Sequence, residues 1–163
     1  MQLSSKGRYA VMAMADMATA DDGAVVPLAA ISARQHISQA YLEQLFVKLR
    51  RAGLVDSMRG PGGGYLLARP AAEITLASVM HAVDEPVKMT RCATGESGCV
   101  ADHRCLTHDV WRSLGDHIVS FLDGVTLSDI ADNASARAAL QAAREGDVSS
   151  DSAGSAAGER TGR

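Results

Sequence analysis

The sequence is poor in several features that would each indicate a particular class of protein. Aromatic residues make up only 4% of the chain, and alanine, methionine and leucine supply most of the apolar side chains, a composition that favours helices. Three cysteines are an odd number and too few for a disulfide scaffold. No apolar run approaches the roughly 18 residues that a transmembrane helix requires. We therefore expect a mainly helical domain that neither crosses a membrane nor depends on disulfide bonds.

The N-terminus also lacks the pattern of a secretory signal peptide, because residues 1–9 are polar and basic and no apolar h-region follows them. We therefore expect a cytoplasmic protein. In a reducing compartment, clustered thiols bind metal more often than they pair with one another. The three cysteines lie close together, at positions 92, 99 and 105, and so indicate a ligand site.

Charge is divided unevenly along the chain. The net charge of −3 does not by itself indicate a nucleic-acid-binding protein. Residues 1–70, however, contain eight Lys/Arg and five Asp/Glu, whereas residues 71–163 contain eight and fourteen. A basic half joined to an acidic half is typical of proteins that bind polyanions, although a solvated helix face would give the same counts.

The basic half predicts three helices. The first, capped by Ser4 or Ser5, ends near Ala20, and the second spans about 27–33. Ser38 caps the third, which has a single apolar stripe. That stripe consists of Leu42, Leu45, Phe46 and Leu49. Two short helices joined by a tight turn, the second amphipathic, form the helix-turn-helix pattern, for which an ordinary helical bundle remains an alternative.

In a helix-turn-helix, the N-terminal residues of the second helix read base edges. We expect Gln44 to bond adenine and Glu43 to accept a hydrogen bond from cytosine, while Ser38 and Tyr41 reach phosphate. A glycine-rich run at 59–64 separates two short strand-like segments, and it lacks the Lys-Ser/Thr and following helix of a phosphate-binding loop. A hairpin in this place is the wing of a winged helix, and Arg59 at its base would enter the minor groove. The full set of predicted DNA-binding residues is Lys6, Ser38, Gln39, Ala40, Tyr41, Glu43, Gln44, Arg59 and Gly60.

The cysteines and a nearby histidine have the spacing of a ligand site. Cys92, Cys99, Cys105 and His108 supply three thiolates and one imidazole, a set that suits zinc or an iron–sulfur cluster, and His103 is a competing nitrogen ligand. A hydrolase dyad of Cys105 and His108 would need a third group and an oxyanion hole that the sequence does not indicate. We therefore expect a ligand site rather than an enzyme.

The segment after this loop predicts a helix with an apolar seam of heptad spacing. We expect this seam to be a dimer interface, although a core helix would give a similar stripe. The seam consists of Trp111, Leu114, Ile118, Phe121 and Val125. Thr126 is placed to cap one more short helix, which ends near Ala131.

The predicted organisation has five parts. The last is a tail that we expect to be largely disordered from about residue 145, because glycine, serine and alanine dominate there. These parts are a winged helix-turn-helix region at 1–70, a connecting helix at 71–90, a cluster-binding loop at 91–108, a dimerisation helix with a short following helix at 106–132, and the tail at 133–163.

Four segments resemble a known family of winged-helix transcription regulators, which includes the iron–sulfur cluster regulator IscR, the nitric-oxide sensor NsrR and the cysteine-metabolism repressor CymR. They are Ser-Lys-Gly-Arg-Tyr-Ala-Val at 5–11, Tyr-Leu-Glu-Gln-Leu-Phe at 41–46, Arg-Gly-Pro-Gly-Gly-Gly-Tyr-Leu-Leu at 59–67 and Cys-Leu-Thr-His at 105–108. The glycine wing is shared across the family, whereas Cys-Leu-Thr-His after two upstream cysteines points to the cluster regulators. The resemblance ends near Asp132.

The resemblance implies a homodimeric regulator, a repressor that can also activate, which binds promoter operators in double-stranded DNA. It implies one [2Fe–2S] cluster per subunit, held by Cys92, Cys99, Cys105 and His108 and received from the cluster-assembly machinery, whose genes the protein would control. The first inter-cysteine loop has six residues where five are expected, and Ala40 replaces a serine that relatives can carry. A zinc-stabilised repressor without sensing and a nitric-oxide or redox sensor are the alternatives.

Overall fold

The computed structural model describes residues 4–85 and 104–132, and the description below is confined to these residues. Within them the chain is mainly helical, with one antiparallel two-stranded hairpin, which confirms the predicted winged helix-turn-helix. The predicted ligands Cys92 and Cys99, the competing His103 and the tail at 133–163 lie outside the described residues. The elements are α1 (Ser5–Ala18), α2 (Leu28–Gln35), α3 (Gln39–Arg51), β1 (Val55–Met58), β2 (Gly64–Leu67), a 3₁₀ turn (Ala71–Glu73), α4 (Leu76–Ala82), α5 (His108–Gly124) and α6 (Leu127–Ala131).

Local signals in the sequence explain where the first three helices begin. Ser4 Oγ accepts a hydrogen bond from the Lys6 amide at 3.2 Å, so Ser4 is the N-cap of α1. Pro27 stands at the N-cap of α2, one position before the helical residue predicted for it. His36 adopts a left-handed conformation with φ of 54°, which turns the chain between α2 and α3.

The core forms where α3 packs against α1. The whole apolar stripe of α3 is buried, and α1 meets it with Ala10, Ala13 and Met14, which are also buried. Removing this much apolar surface from water is the main stabilising contribution to the DNA-binding region.

Residues from the second half of the chain complete the same core. Ile74, Val79 and Leu127 are fully buried within it. Backbone hydrogen bonds join the two stretches that carry them: the Leu76 amide donates to the Val125 carbonyl, and the Leu127 amide to the Ile74 carbonyl, both at 2.9 Å. Thr126 caps α6 as predicted, with a reciprocal capping box to Asp129.

The wing is attached to the helical body by a third strand-like segment. Val26 exchanges two backbone hydrogen bonds with Tyr65, of 2.7 Å and 3.0 Å. The Tyr65 ring lies against Phe46 of α3, with ring centroids 4.8 Å apart. At Gly64 the two backbones come so close that a Cβ would lie 2.5 Å from the Val26 carbonyl oxygen.

Replacing Gly64 by alanine should therefore destabilise the protein more than the same change in an open position. The Cβ would collide with backbone rather than with a movable side chain, so the Val26 strand must shift, at a cost of about 1–3 kcal/mol in the free energy of unfolding. Gly124, the last residue of α5, is the matched control, because a Cβ at this position would meet no packed neighbour within 4 Å among the described residues and alanine suits a helix. Urea unfolding of both variants measures the difference, and equal stabilities would contradict the close approach.

Candidate DNA-binding face and ligand segment

The N-terminal half of α3 presents the residues predicted to read DNA. Gln39, Ala40, Glu43 and Gln44 are all exposed and lie outside its buried stripe. Gln39 Nε2 donates a hydrogen bond to Glu43 Oε1 at 3.2 Å, which orients this carboxylate one turn further along the helix. Amide and carboxylate groups in such positions bond base edges in the major groove.

The predicted phosphate contacts Ser38 and Tyr41 also organise the start of α3. Ser38 Oγ accepts a hydrogen bond from the Tyr41 amide at 3.3 Å and caps the helix. The half-buried Tyr41 ring meets Tyr9 of α1 edge to face, with centroids 6.0 Å apart, and the Arg8 guanidinium lies 5.9 Å from the Tyr9 centroid. The first turns of α1 and α3 therefore lie together and bring an arginine beside the reading helix.

Arg59 and Gly60 stand at the exposed tip of the wing, in the turn that follows β1, so the prediction that Arg59 lies at the base of the wing is wrong. Gly60 has φ of 111° and Gly62 has φ of 78°, conformations that favour glycine and allow the tight reversal between β1 and β2. In β1, one residue pair away from this turn, Ser57 Oγ accepts a hydrogen bond from Arg50 Nη1 of α3 at 3.2 Å. This bond joins the wing to the reading helix.

The lysines near the reading helix already have acidic partners, which sequence reasoning missed. Lys48 Nζ lies 2.7 Å from Asp84 Oδ2, and Lys6 Nζ lies 2.8 Å from the Asp84 carbonyl oxygen and 3.4 Å from Glu85 Oε2. The Lys48 ammonium, by its hydrogen bond and its charge, lowers the pKa of the Asp84 carboxyl. An acidic pair after a short helix resembles a solvated helix end, so its sequence signal does not reveal these contacts.

A buried acidic residue fixes α2 against α1. Asp16 is only 7% exposed, and its carboxylate accepts hydrogen bonds from Arg34 Nε at 2.9 Å, Arg34 Nη2 at 2.6 Å and Gln35 Nε2 at 2.8 Å. Burial by itself would raise the pKa of Asp16, but the hydrogen bonds from Arg34 and Gln35 outweigh it and lower the pKa below its ordinary value of 3.8. The first helix of the helix-turn-helix is thus held by an ion pair that sequence periodicity did not indicate.

Two of the four predicted cluster ligands, Cys105 and His108, lie in the described residues at the start of α5. His108, the first residue of the helix, is 9% exposed, and its amide donates to the Cys105 carbonyl oxygen at 3.1 Å. The half-buried Cys105 Sγ lies 3.5 Å from Thr107 Oγ1, which also accepts a hydrogen bond from Trp111 Nε1 at 3.2 Å. Within residues 4–85 and 104–132, no group of three or more potential metal-ligating side chains is found.

The apolar seam predicted for dimerisation lies on the surface of α5. Trp111, Leu114 and Phe121 are between 38% and 40% exposed, and Ile118 is half-buried. Val125 follows the last residue of α5 as its C-cap, in extended backbone, so four seam residues are helical. An exposed apolar stripe of this size on a helix indicates an interaction surface.

The sequence matches known regulators over most of its length. The sequence model of the Rrf2 family, described as an iron-dependent transcriptional regulator, matches residues 3–133. The HTH-type transcriptional regulator IscR of Photorhabdus laumondii is 56% identical over 133 residues, which are 82% of this chain and 80% of that protein. IscR of Escherichia coli O1:K1 is 53% identical over 133 residues, which are 82% of this chain and 82% of that protein.

Solved structures agree with the fold. CymR, the global cysteine regulator of Bacillus subtilis, superposes with a TM-score of 0.71 at 30% identity, over 82% of this chain and 98% of that one. IscR of T. potens superposes with a TM-score of 0.67 at 35% identity, over 82% of this chain and 88% of that one. Among the described residues, no helix is both long and apolar enough to span a bilayer.

Removing the Asp16 carboxylate should destabilise the helix-turn-helix in a pH-dependent way. Because the folded pKa is lowered, the contribution of Asp16 is present above the unfolded pKa and is lost as the pH falls through the folded pKa. Asp16→Asn should reduce the free energy of unfolding by about 1.5–3 kcal/mol at pH 7, the range for hydrogen bonds to charged groups. In acid, the wild type and the variant should converge.

Urea unfolding between pH 7 and pH 3 measures this difference. Asp22→Asn is the matched control, because Asp22 is exposed in the loop after α1 and its loss should change stability by less than about 0.5 kcal/mol. A gap between wild type and Asp16→Asn that widened in acid would be inconsistent with the ion pair.

Proposed function

Because the chain belongs to the Rrf2 family of iron-dependent transcriptional regulators, we propose that it is a homodimeric, iron–sulfur-sensing regulator of promoter DNA. It is a helix-turn-helix transcriptional regulator and not an enzyme. The finer proposal is that one [2Fe–2S] cluster per subunit controls which promoters are bound, including those of cluster-assembly genes. The observation that carries it is the placement of Cys105 and His108 at the start of α5, the helix with the exposed apolar seam. The same chain carries α3, the reading helix, whose exposed residues are predicted to contact bases.

DNA recognition is proposed to follow from the exposed side chains of α3 and the wing. The Gln44 amide can pair with an adenine edge, and the Glu43 carboxylate can accept from the amino group of cytosine. Gln39 supports this reading because its amide already orients Glu43. Arg59, exposed beside the glycines of the wing, suits a narrow minor groove. Ser38 and Tyr41 remain predicted contacts to DNA phosphate, and Gly60 remains a predicted DNA contact.

Dimerisation is proposed to occur through α5. In the heptad that places Trp111 and Leu114 in the seam, His108 and Gly115 fall on a neighbouring face, and both are buried. One face of α5 is thus occupied by its own subunit, while the seam is left exposed. Two reading helices related by two-fold symmetry would contact half-sites one helical turn apart, about 34–36 Å.

The ligand set is proposed to be Cys92, Cys99, Cys105 and His108. Three thiolates and an imidazole suit an iron–sulfur cluster and also suit zinc, and the similarity to IscR proteins favours the cluster. When bound, a cluster with one histidine ligand would supply a redox-active group. The fraction of protein that carries it would depend on how much cluster the cell makes. His108 is the first residue of α5 and is only 9% exposed.

A contact path leads from this segment into the proposed dimer helix. Thr107 Oγ1 lies between Cys105 Sγ and Trp111 Nε1, within 3.5 Å and 3.2 Å of them. A change at Cys105 therefore reaches the first seam residue through a single hydroxyl group. The cluster-assembly machinery is the proposed donor, and the cytoplasm, where both donor and promoter DNA are found in bacteria, is the proposed location.

Anaerobically purified protein should show visible absorption between roughly 320 and 600 nm and contain about two irons and two sulfides per chain, as thiolate- and imidazole-bound [2Fe–2S] requires. His108→Ala should change the spectrum or lose the iron. His117→Ala is the matched control, since His117 is exposed on the same helix and should leave the spectrum unchanged. Absorption spectroscopy with metal and sulfide analysis measures both.

One outcome would overturn the cluster itself, and another would overturn the ligand set. A colourless protein with stoichiometric zinc would support the zinc-stabilised repressor instead. An unchanged spectrum in His108→Ala would remove His108 from the ligand set.

The dimer proposal predicts that a charge placed in the seam separates the subunits. Leu114→Glu should shift the protein from dimer to monomer, because a carboxylate in the apolar interface would lose its hydration without a partner. Ser113→Glu adds the same charge at the neighbouring exposed position outside the seam and should remain a dimer. Sedimentation velocity at matched concentrations distinguishes the two, and a dimeric Leu114→Glu variant would place the interface elsewhere.

A further inference from the structure

The two lysines nearest the reading helix converge on one short acidic segment. Lys48 projects from α3, one turn after Gln44, and Lys6 projects from the first turn of α1. Both ammonium groups lie within 2.8 Å of Asp84, the first at its carboxylate and the second at its carbonyl oxygen. These side chains come from three different elements, so their meeting reflects the tertiary structure.

The backbone conformation of Asp84 and the packing of Glu85 hold this acidic segment, residues 84 and 85, in position. Asp84, two residues after α4, has φ of 54°, a left-handed conformation that aspartate and asparagine tolerate better than most residues. Glu85 fits against α1 because position 7 is glycine, where a Cβ would lie 2.9 Å from Glu85 Cγ. A hydrogen bond from Ser4, together with Lys6, lowers the pKa of Glu85 despite its partial burial.

Arg8 differs from the two lysines, because not every cation in this region has an acidic partner. Arg8 lies in the same turn of α1 and is exposed, and within the described residues it has no ion pair. A cation in that state can bind phosphate without breaking an ion pair. Lys6 and Lys48, by contrast, would have to break an ion pair with a carboxylate in order to bind phosphate.

We propose that Asp84 and Glu85 are affinity-determining residues that occupy the Lys48 and Lys6 ammonium groups in place of DNA phosphates and so weaken DNA binding that does not depend on sequence. The inference rests on the proposed reading of DNA by α3. The pairs are partly exposed, and such pairs are individually weak, so phosphates displace the carboxylates rather than being excluded by them. Phosphate contacts carry no sequence information and base contacts are unaffected, so affinity for every sequence falls by the same factor and the preference among sequences is unchanged.

Asp84→Asn should increase affinity for a mixed-sequence duplex of about 30 base pairs by about two- to five-fold per subunit, the range that one exposed ion pair allows. The slope of log K against log salt should become steeper by about 0.9 for each phosphate gained. Asparagine keeps the left-handed backbone, so the fold is preserved. The protein is the full chain purified as for the absorption measurement, and fluorescence anisotropy over a salt series gives both quantities.

A double-mutant cycle separates the ion pair from a general effect of charge. In the Lys48→Gln background, Asp84→Asn should have no further effect on affinity, because the lysine it would release is absent. Glu73→Gln removes one exposed carboxylate that has no ion pair among the described residues, and it should change affinity much less. Glu85→Gln with Lys6→Gln forms a second cycle, which serves if Asp84→Asn does not fold.

The outcomes separate the inference from the proposed function. If wild type binds the duplex but Asp84→Asn and Glu85→Gln bind equally or more weakly, the pairs do not compete with phosphate and the inference is wrong. It is also wrong if the Asp84→Asn gain persists in the Lys48→Gln background. If no variant and no wild type binds any duplex, the proposed DNA reading itself fails, and the inference with it.

Discussion

The packing of α3 on α1 is the interaction on which the rest of the structure depends. Leu42, Leu45, Phe46 and Leu49 are buried against the small side chains of α1, and this fixes the rotation of α3 about its axis. Because successive residues in a helix are about 100° apart, burying this stripe leaves only certain positions facing outward. In the N-terminal half of α3 those positions are Gln39, Ala40, Glu43 and Gln44. The reading face is therefore a direct consequence of core packing, and the wing joins it through the contact of Tyr65 with Phe46.

Elements with strong local signals could be predicted from the sequence, and elements defined by distant partners could not. Ser38 and Thr126 cap helices where the pattern of a hydroxyl before a helical segment indicated them. The strand pairing of Val26 with Tyr65 was not predicted, because a single bridge has no periodicity. The return of Leu127 to the core was missed for the same reason: a five-residue helix gives no sign of which surface it covers. Asp16 looked like an ordinary polar residue because burial and pairing with Arg34 are properties of the folded chain.

The charge pattern illustrates the same limit at the candidate site. Counts of charge predicted a basic N-terminal half and an acidic remainder, and the exposed residues of α3 and the wing agree with that division. The counts could not show that Asp84 and Glu85, from the acidic part, lie against Lys48 and Lys6, from the basic part. Net charge over a stretch of sequence thus overstates the positive charge available to a phosphate backbone. What decides availability is whether a cation has an internal partner, and this depends on where α4 ends relative to α1 and α3.

The same contacts set a physical condition on any coupling between the ligand segment and DNA. A bound group changes affinity at a distance only by favouring one of two arrangements of the elements between the sites. From Cys105 and Thr107 these elements are α5, then α4, whose Met80 lines a groove with Val119 and Leu122 of α5, and then Asp84 at the end of α4. Along this route, Val79 of α4 and Val83 at its C-cap are fully buried, so displacing them would cost the burial of whole side chains. The ion pair of Lys48 with Asp84 is exposed and weak by comparison. A shift of α4 would therefore be accommodated first at this pair, which lies directly beside the reading helix.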